Sequence, residues 1–384
     1  MSTTSATRLH SDPRTVMTLD AGGTNLRFVS VRAGQIVDEW LCMKSCVDNL
    51  NYCLAQIVSG FRQTAARCPE PPAAISFAFP GPADYRNGII GDLANLPCFR
   101  GGVALKALLE NEFRIPVLIN NDGDLFTYGE ALAGLLPKIN HQLKSAGSQK
   151  QFRNLLGLTI GTGLGGGIVC NGVLLLGDNS AAGEIWLFPT RQHFDRFAEE
   201  EASIRAIRQK YAHYAGIPPD TAPEPDEIYR IATKTAPGNA VSAVESFRDL
   251  GRTLADVLCV ALSLIDGLVV IGGGLSGAAA LFLPTLVEQL NRQFVNSSGK
   301  MQRRLMQKAF NLEDLSQLQQ FLHGDRQSIT VPTIGPMADN AASGHCVSYD
   351  RMSRTGIGLS QLGTGQAVAL GAYAVAIQHL DNES

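Results

Sequence analysis

The chain has 384 residues, of which 45% are hydrophobic and 17% charged, and its formal net charge at pH 7 is −3. This composition is typical of a soluble globular protein and argues against a basic surface that tracks a nucleic-acid backbone. The length exceeds what one hydrophobic core usually spans, so we expect two lobes. No apolar run is long enough for a membrane span and residues 1–14 lack a signal-peptide core, so we predict a cytoplasmic location.

Predicted strands and helices alternate in the first third of the sequence. Apolar patterning predicts helices at 47–66 and 125–136, and strands at 16–20, 26–32, 36–40, 74–79 and 116–120. This alternation favours βαβ units built on a sheet. Residues 137–153 are polar and predict an exposed connector.

The rest of the sequence begins with the same kinds of element. We expect, in chain order, a strand at 155–160, a glycine-rich turn, strands at 168–170 and 173–176, helices at 199–214 and 239–265, a strand at 268–271, largely helical residues at 277–325 and a closing helix at 366–378. Asn171-Gly172, between two of these strands, is a strong hairpin signal.

The sequence Asp20-Ala21-Gly22-Gly23-Thr24-Asn25 places a carboxylate and a Gly-Gly turn between two predicted strands. Glycines at this turn let backbone N–H groups approach an anion closely, and Thr24 and Asn25 add a hydroxyl and an amide. Since Asp20 can hold hydrated Mg²⁺, which neutralises phosphates, the motif predicts a metal–nucleotide site. A plain β-hairpin with a Gly-Gly turn fits the same residues.

The order of strand, glycine-rich turn and strand recurs at residues 159–165, which suggests a duplicated lobe. Two such hairpins facing each other across a cleft would explain both motifs, and Gly161, Thr162 and Gly163 would form the second phosphate loop. The turn at 272–274 follows a buried-looking strand and favours either a nucleotide contact or a tight strand-to-helix connection. No P-loop sequence is present.

Asn121 and Asp122 follow the predicted strand 116–120, at the carboxyl end where ligands gather in open α/β sheets. A carboxylate there can take the proton of an attacking hydroxyl during phosphoryl transfer, and Asn121 can hold neighbouring hydroxyls. Helix capping is the structural alternative for Asp122 and for Asp124. We assign Asp122 to catalysis and Asp124 to capping.

Three further polar side chains are candidates for binding a ligand rich in hydroxyl groups. The Glu184 carboxylate can accept hydrogen bonds from two vicinal hydroxyls, the geometry that a sugar offers. Asn95 is a polar residue among apolar neighbours. Glu199 lies at the start of a predicted helix, where a solvated N-terminus is its simpler explanation.

In this order the motifs resemble the ROK family of bacterial sugar kinases, within the hexokinase/actin-like fold. The resemblance runs from about Val16 to Ala376. Besides the residues above, it includes Phe79-Pro80-Gly81-Pro82, Asn95-Leu96-Pro97, Gly129-Glu130, Ala182-Gly183-Glu184-Ile185, Ile271-Gly272-Gly273-Gly274-Leu275-Ser276 and Leu370-Gly371-Ala372. It implies an α/β, two-lobed actin-like ATPase (ribonuclease H-like) fold with the active site in the interlobe cleft.

The resemblance also implies an activity, which is ATP- and Mg²⁺-dependent transfer of the γ-phosphoryl group to a sugar hydroxyl, often the 6-hydroxyl. Asp122 would be the general base and Asp20 would hold Mg²⁺ through water. The residues expected at ATP are Asp20, Gly22, Gly23, Thr24, Asn25, Gly161, Thr162, Gly163, Gly273 and Gly274, and those expected at the sugar are Asn95, Asn121, Glu184 and Glu199. We expect a homodimer with no nucleic-acid or membrane partner, since too few residues precede the first strand for a DNA-binding domain.

The same resemblance divides the chain into an N-terminal α/β lobe, residues 1–135, and a C-terminal α/β lobe, residues 136–365. The closing helix, about 366–384, is expected to complete the N-terminal lobe. Residues of about 291–352 exceed what the family core requires, and we expect them to form an inserted, mainly helical segment.

Two features of the family are missing from this sequence. The family pattern Gly-Glu-Ile-Gly-His is replaced by Gly183-Glu184-Ile185-Trp186-Leu187, so the histidine that contacts the sugar is absent. Residues 189–201 contain no cysteine, so we predict no zinc site. These departures leave the acceptor sugar open, and a non-catalytic sugar or nucleotide sensor is the alternative function.

Overall fold

The computed structural model describes residues 10–21, 25–45, 48–91, 96–191, 195–332 and 346–382. Its strands, in chain order, are β1 (Thr15–Ala21), β2 (Asn25–Arg32), β3 (Gln35–Ile36), β4 (Leu41–Lys44), β5 (Ala74–Ala78), β6 (Ile89–Ile90), β7 (Val103–Ala104), β8 (Val117–Asn120), β9 (Leu155–Ile160), β10 (Leu164–Cys170), β11 (Val173–Leu174), β12 (Leu268–Gly272), β13 (Gln293–Val295), β14 (Met301–Arg303), β15 (Lys308–Asn311), β16 (Arg326–Thr330), β17 (Cys346–Asp350) and β18 (Arg354–Leu359).

The helices of the described residues are α1 (Leu50–Arg67), α2 (Leu105–Phe113), α3 (Asp122–Ala133), α4 (Leu135–Ser145), α5 (Ala198–Glu201), α6 (Ile204–Ala215), α7 (Pro225–Ala232), α8 (Ala240–Ile265), α9 (Ala279–Leu290), α10 (Leu315–His323) and α11 (Thr364–Asn382). None of them is both long enough and apolar enough to cross a membrane.

Two six-stranded sheets repeat one topology. The first has the order β3-β2-β1-β5-β8, with β4 also pairing β2, and the second has the order β11-β10-β9-β12-β18-β15. In each sheet the first strand pairs antiparallel with the second strand and parallel with a later one. In this way β1 pairs with β2 and β5, and β9 pairs with β10 and β12. The duplication and the two-lobed actin-like fold predicted from the sequence are confirmed.

The first sheet is covered by helices on both faces. On one face, Phe61 of α1 makes an edge-on contact with Phe28 of β2 at 5.1 Å between ring centroids. On the other face, Tyr373 of α11 packs against Val16 and Val29. The closing helix therefore packs on the first sheet although it follows the second sheet in the chain.

Helices α3 and α11 cross at very short range because glycines stand at the contact. An ideal Cβ at Gly129 would lie 2.0 Å from the carbonyl oxygen of Ala367, and one at Gly371 would lie 2.0 Å from that of Leu125. Any side chain at either position would separate the helices. Because α3 also packs against β9 and β10, this crossing connects the two sheets.

The expectation of an exposed connector at 137–153 is wrong for most of that range. Helix α4 occupies Leu135–Ser145 and buries Leu135, Leu136, Ile139 and Leu143. These leucines and isoleucine recur at helical spacing, but the polar residues between them hide the pattern. The strand expected at 36–40 is also wrong beyond its first residue, since β3 ends at Ile36 and β4 begins at Leu41.

The expectation of a mainly helical insertion at about 291–352 is also wrong. In the described part of that range, α10 is the single helix, while β13 and β14 form one hairpin and β16 and β17 another. Strand β15 joins the edge of the second sheet beside β18, where its Phe310 is buried. Short strands of mixed polarity carry little period-2 signal, which explains the error.

Candidate active site

Three consecutive glycines in β10 allow other segments to approach both of its faces. An ideal Cβ at Gly167 would lie 2.4 Å from the carbonyl oxygen of Gly123, at the start of α3. One at Gly166 would lie 2.5 Å from the carbonyl oxygen of Gly183. Since neighbouring strand residues point to opposite faces, these glycines let the N-terminus of α3 and the segment at Gly183 pack on the same strand.

Asp122 is the first residue of α3, and hydrogen bonds hold it in place. The N–H of Gly123 donates to Oδ1 of Asp122 at 2.9 Å and to Oδ1 of Asn121 at 2.7 Å. The Asp122 side chain is exposed to solvent, although many protein atoms lie around its carboxyl group. This partial desolvation, together with the carboxylates of Asp20 and Glu184, raises the pKa of Asp122.

Asp124 is not a capping residue, so that assignment is wrong. The side chain of Asn121 caps α3, whereas the Asp124 side chain is only 3% exposed and its Oδ1 has no hydrogen-bond partner. Burial, and then the nearby carboxylates of Glu184 and Asp122, raise the pKa of Asp124 to about 8. At neutral pH this group is therefore mainly a neutral carboxylic acid.

Asp20 reaches the same site from β1. In the parallel register Asp20 aligns with Ala78, which aligns with Asn120, so the carboxyl ends of β1, β5 and β8 lie at one edge. Burial raises the pKa of Asp20, and Arg27, its cross-strand partner, opposes that shift. Of the other residues predicted at this turn, Asn25 is exposed at the start of β2, while Gly22, Gly23 and Thr24 lie outside the described residues.

The second predicted phosphate loop is the turn between β9 and β10. The N–H of Gly161 donates to the carbonyl oxygen of Gly163 at 2.9 Å, which closes the turn around Thr162. Oε2 of Glu199 accepts a hydrogen bond from the N–H of Leu164 at 3.0 Å. Glu199 is thus partly buried against this hairpin, rather than a freely solvated residue at a helix terminus.

The turn at Gly273 and Gly274 lies at the same edge of the second sheet. Gly273 has φ +86°, and an ideal Cβ there would lie 2.5 Å from the backbone of Ile160, the last residue of β9. Its N–H donates to Oγ1 of Thr364 at 3.2 Å. Nothing lies within 4 Å of an ideal Cβ at Gly274, so this turn has an open side next to the Gly161 hairpin.

Glu184 is partly buried, and one of its oxygens is already engaged. Its Oε2 accepts a short hydrogen bond from the indole N–H of Trp186. The Trp186 ring makes an edge-on contact with Phe197 at 6.0 Å between centroids. Leu187, at the position of the family histidine, is 46% exposed. Asn95, which was also predicted to bind the sugar, lies outside the described residues.

Tyr85 is a residue of this site that the sequence reasoning missed. Its hydroxyl lies 3.4 Å from Nδ2 of Asn121, and the negative charges of Asp122 and Glu184 contribute to raising its pKa, after burial as the main cause. Its only sequence signal is its position three residues after Pro82, at the end of a family motif.

The carboxylates here suit a magnesium ion that keeps most of its water. No three His, Cys, Asp or Glu side chains of the described chain form a group that could hold a metal ion. Mg²⁺ at nucleotide sites takes only one or two carboxylates, with water and phosphate oxygens as the other ligands. Asp20 fits that requirement, because its carboxylate is desolvated and lies close enough to the Asp122 carboxylate for their negative charges to repel each other.

Comparison with known proteins gives one consistent result. The model of the ROK family matches residues 16–313. A glucokinase structure from Parabacteroides distasonis is 44% identical and has a TM-score of 0.84, over 97% of this chain and 99% of that chain. A second similar structure is a ROK family glucokinase from Streptomyces griseus in complex with glucose and AMPPNP. It is 20% identical over 95% of this chain and 99% of that chain, and its TM-score of 0.61 shows that the fold is shared.

Among curated proteins, a glucokinase from Halalkalibacterium halodurans is 31% identical over 175 residues, or 44% of this chain and 47% of the relative. The chain therefore spans about half the length of this curated relative. The family model covers well over half of the chain, and the motifs that carry the resemblance recur in the geometry described above. The chain belongs to the ROK family.

Proposed function

We propose that the protein is an ATP-dependent, glucokinase-like sugar kinase that phosphorylates a hydroxyl, the 6-hydroxyl, of a hexose or hexose derivative. The observation that carries the proposal is that the carboxylates of Asp122, Asp20 and Glu184 lie close together, near the glycine-rich turns of the two sheets. The similar glucokinases, one of them bound to glucose and AMPPNP, support both the sugar and the nucleotide. A cytoplasmic location and a homodimer stay predictions from the sequence.

Asp122 is proposed as the general base. Its Oδ1 is held by Gly123, which leaves Oδ2 to accept the proton of the sugar hydroxyl. The sugar oxygen then bonds to the γ-phosphorus as the bond to the β-phosphate oxygen breaks, and ADP leaves. A raised pKa makes Asp122 a better proton acceptor at neutral pH than an ordinary aspartate.

The remaining residues divide into two groups. Asn121, Asn95, Glu184 and Glu199 are proposed to bind the sugar, and the turns at Gly22–Asn25, Gly161–Gly163 and Gly273–Gly274 to bind ATP. When bound, Mg²⁺ at Asp20 would neutralise phosphate charge. Closure of the lobes would exclude water, which would otherwise accept the phosphoryl group.

The proposal is tested with a coupled assay of ADP release over glucose, aminosugars and N-acetylated sugars. We expect sugar-dependent turnover, and a loss of about 10²–10⁴-fold in kcat in Asp122→Asn, since the base contributes that much in general base catalysis. Asp226→Asn, an exposed carboxylate in the first turn of α7, is the matched control and should leave kcat unchanged. An unchanged kcat in Asp122→Asn would contradict the proposal that Asp122 is the general base.

The non-catalytic sensor remains as a second candidate because Trp186 engages Glu184 and the family histidine is Leu187. Calorimetry distinguishes the two functions, since a sensor would bind a sugar without consuming ATP. Hydrolysis of ATP that no sugar stimulates would contradict both.

A further inference from the structure

The hydroxyl of Tyr85 is enclosed between two fixed partners. Tyr85 is only 6% exposed, and its hydroxyl donates to the carbonyl oxygen of Phe79 at 3.0 Å. The same oxygen accepts from Nδ2 of Asn121 at 3.4 Å. A neutral phenol is the form that can donate and accept at once, and burial favours that form by raising the pKa of Tyr85.

Asn121 is held at both ends of its amide. Its Oδ1 accepts from the N–H of Gly123 at 2.7 Å, and its Nδ2 donates one hydrogen to Tyr85. An asparagine amide has two N–H donors, so one remains for a ligand. Without Tyr85, nothing described at the Nδ2 end would stop the amide group from turning about its remaining cap bond.

Gly81, in the Phe79-Pro80-Gly81-Pro82 motif, makes room for this pair. An ideal Cβ at Gly81 would lie 2.3 Å from the hydroxyl oxygen of Tyr85 and 3.2 Å from Nδ2 of Asn121. A larger residue would displace the hydroxyl. The motif is therefore connected to the site through the tyrosine.

We propose that Tyr85 is a positioning residue that fixes the Asn121 amide, so that its free N–H donates to an oxygen of the acceptor sugar. The inference rests on the proposed function and names a further determinant of sugar affinity. Tyr85 touches no reacting atom, so its loss weakens sugar binding more than it slows phosphoryl transfer.

The test is Tyr85→Phe, which keeps the ring and removes the hydroxyl. We expect the sugar KM to rise about tenfold, while kcat changes less than twofold and the ATP KM is unchanged. Tyr373→Phe is the matched control, because the Tyr373 hydroxyl is likewise buried and both accepts and donates. It accepts from the N–H of Ala33 at 3.1 Å and donates to the carbonyl oxygen of Asp12 at 3.3 Å. This control should lower thermal stability without changing the sugar KM.

A double-mutant cycle shows whether Tyr85 acts through Asn121. In an Asn121→Ala background, Tyr85→Phe should raise the sugar KM no further. Equal effects of Tyr85→Phe with and without Asn121, or an unchanged sugar KM in Tyr85→Phe, would overturn the inference. So would a general loss of activity that follows stability, as a purely structural role predicts.

Failure of the proposed function is separately visible. If the proposed function fails, the wild-type protein binds a sugar but shows no turnover. The effect of Tyr85→Phe is then measured as a change in the sugar dissociation constant by calorimetry instead of a change in KM. Wild-type protein that binds none of the sugars tested would overturn the inference together with the proposed function.

Discussion

Asp122 and Asp124 lie two residues apart on α3, yet the structure gives them different chemistry. Asp122 is exposed and accepts a hydrogen bond from the N–H of Gly123, whereas Asp124 is buried and its Oδ1 has no partner. The desolvation cost falls on the charged form, so the pKa of Asp124 rises to about 8. A carboxyl group that must stay neutral in the folded state makes stability depend on pH.

We therefore expect Asp124 to make a contribution to stability that falls as pH rises from about 4 to about 8. Over this range the unfolded chain releases the Asp124 proton while the folded protein retains it, which costs about 1.4 kcal/mol per pH unit at most. Asp124→Asn removes the titration, so its stability relative to wild type should increase between pH 5 and pH 8 and then level off. Denaturant unfolding of both proteins at several pH values measures this, and a difference independent of pH would contradict it.

At the scale of elements, the crossing of α3 and α11 determines where the first turn of α3 sits. Gly129 and Gly371 allow backbone contact between the two helices. The buried carboxylate of Glu130 adds to this junction, since its Oε1 accepts from the N–H groups of Gln361 and Leu362 at 3.0 Å and its Oε2 from that of Leu135 at 2.8 Å. The loop into α11 and the start of α4 are thus tied to α3.

Gly371→Ala should lower stability by about 1–3 kcal/mol, because the new methyl group would overlap the carbonyl oxygen of Leu125. Gly365→Ala, in the first turn of the same helix, is the control. There the nearest atom to an ideal Cβ is 3.7 Å away, so the better helix propensity of alanine should leave stability unchanged or raise it by up to about 1 kcal/mol. Thermal unfolding compares them, and equal losses would show that the helix crossing tolerates a side chain.

At the scale of the whole molecule, the site exists only where the two sheets come together. In the first sheet, Asp20 lies near the end of β1 and Asp122 follows β8. In the second, Gly161 and Gly273 directly follow β9 and β12, and Glu184 lies in the segment after β11. A ligand that contacts both groups binds the folded chain and not the unfolded one. Its binding free energy therefore adds to the stability of the fold.

We expect the acceptor sugar, at about 100 times its dissociation constant, to stabilise the protein by about 2.7 kcal/mol, which raises the apparent Tm by a few degrees. Asp122→Asn should show the same rise, because the proposed base acts on the transferred proton rather than holding the sugar. Differential scanning fluorimetry measures both proteins with the acceptor sugar in the absence of ATP, so that no turnover occurs. If sugar does not raise the apparent Tm of Asp122→Asn, we would conclude that Asp122 binds the sugar instead.

Much of the fold was predictable from local pattern. Apolar runs predict the central strands β1, β5 and β9, and the repeated strand–turn–strand motif indicates the two similar sheets. Helix α4 and the strands of residues 291–350 were not predictable, because a few apolar residues among polar ones satisfy neither period clearly. Their packing partners, rather than their own propensities, decide their structure.

The family, the glycine turns and the position of Asp122 at the end of a strand could be predicted from the sequence, because turn chemistry and strand ends depend on residues adjacent in the chain. The burial of Asp124 and the contacts of Tyr85 with Asn121 and of Glu199 with Leu164 depend on the folded arrangement of the chain. These contacts join residues far apart in the chain, and burial is a property of packing. No local pattern in the sequence carries either kind of information.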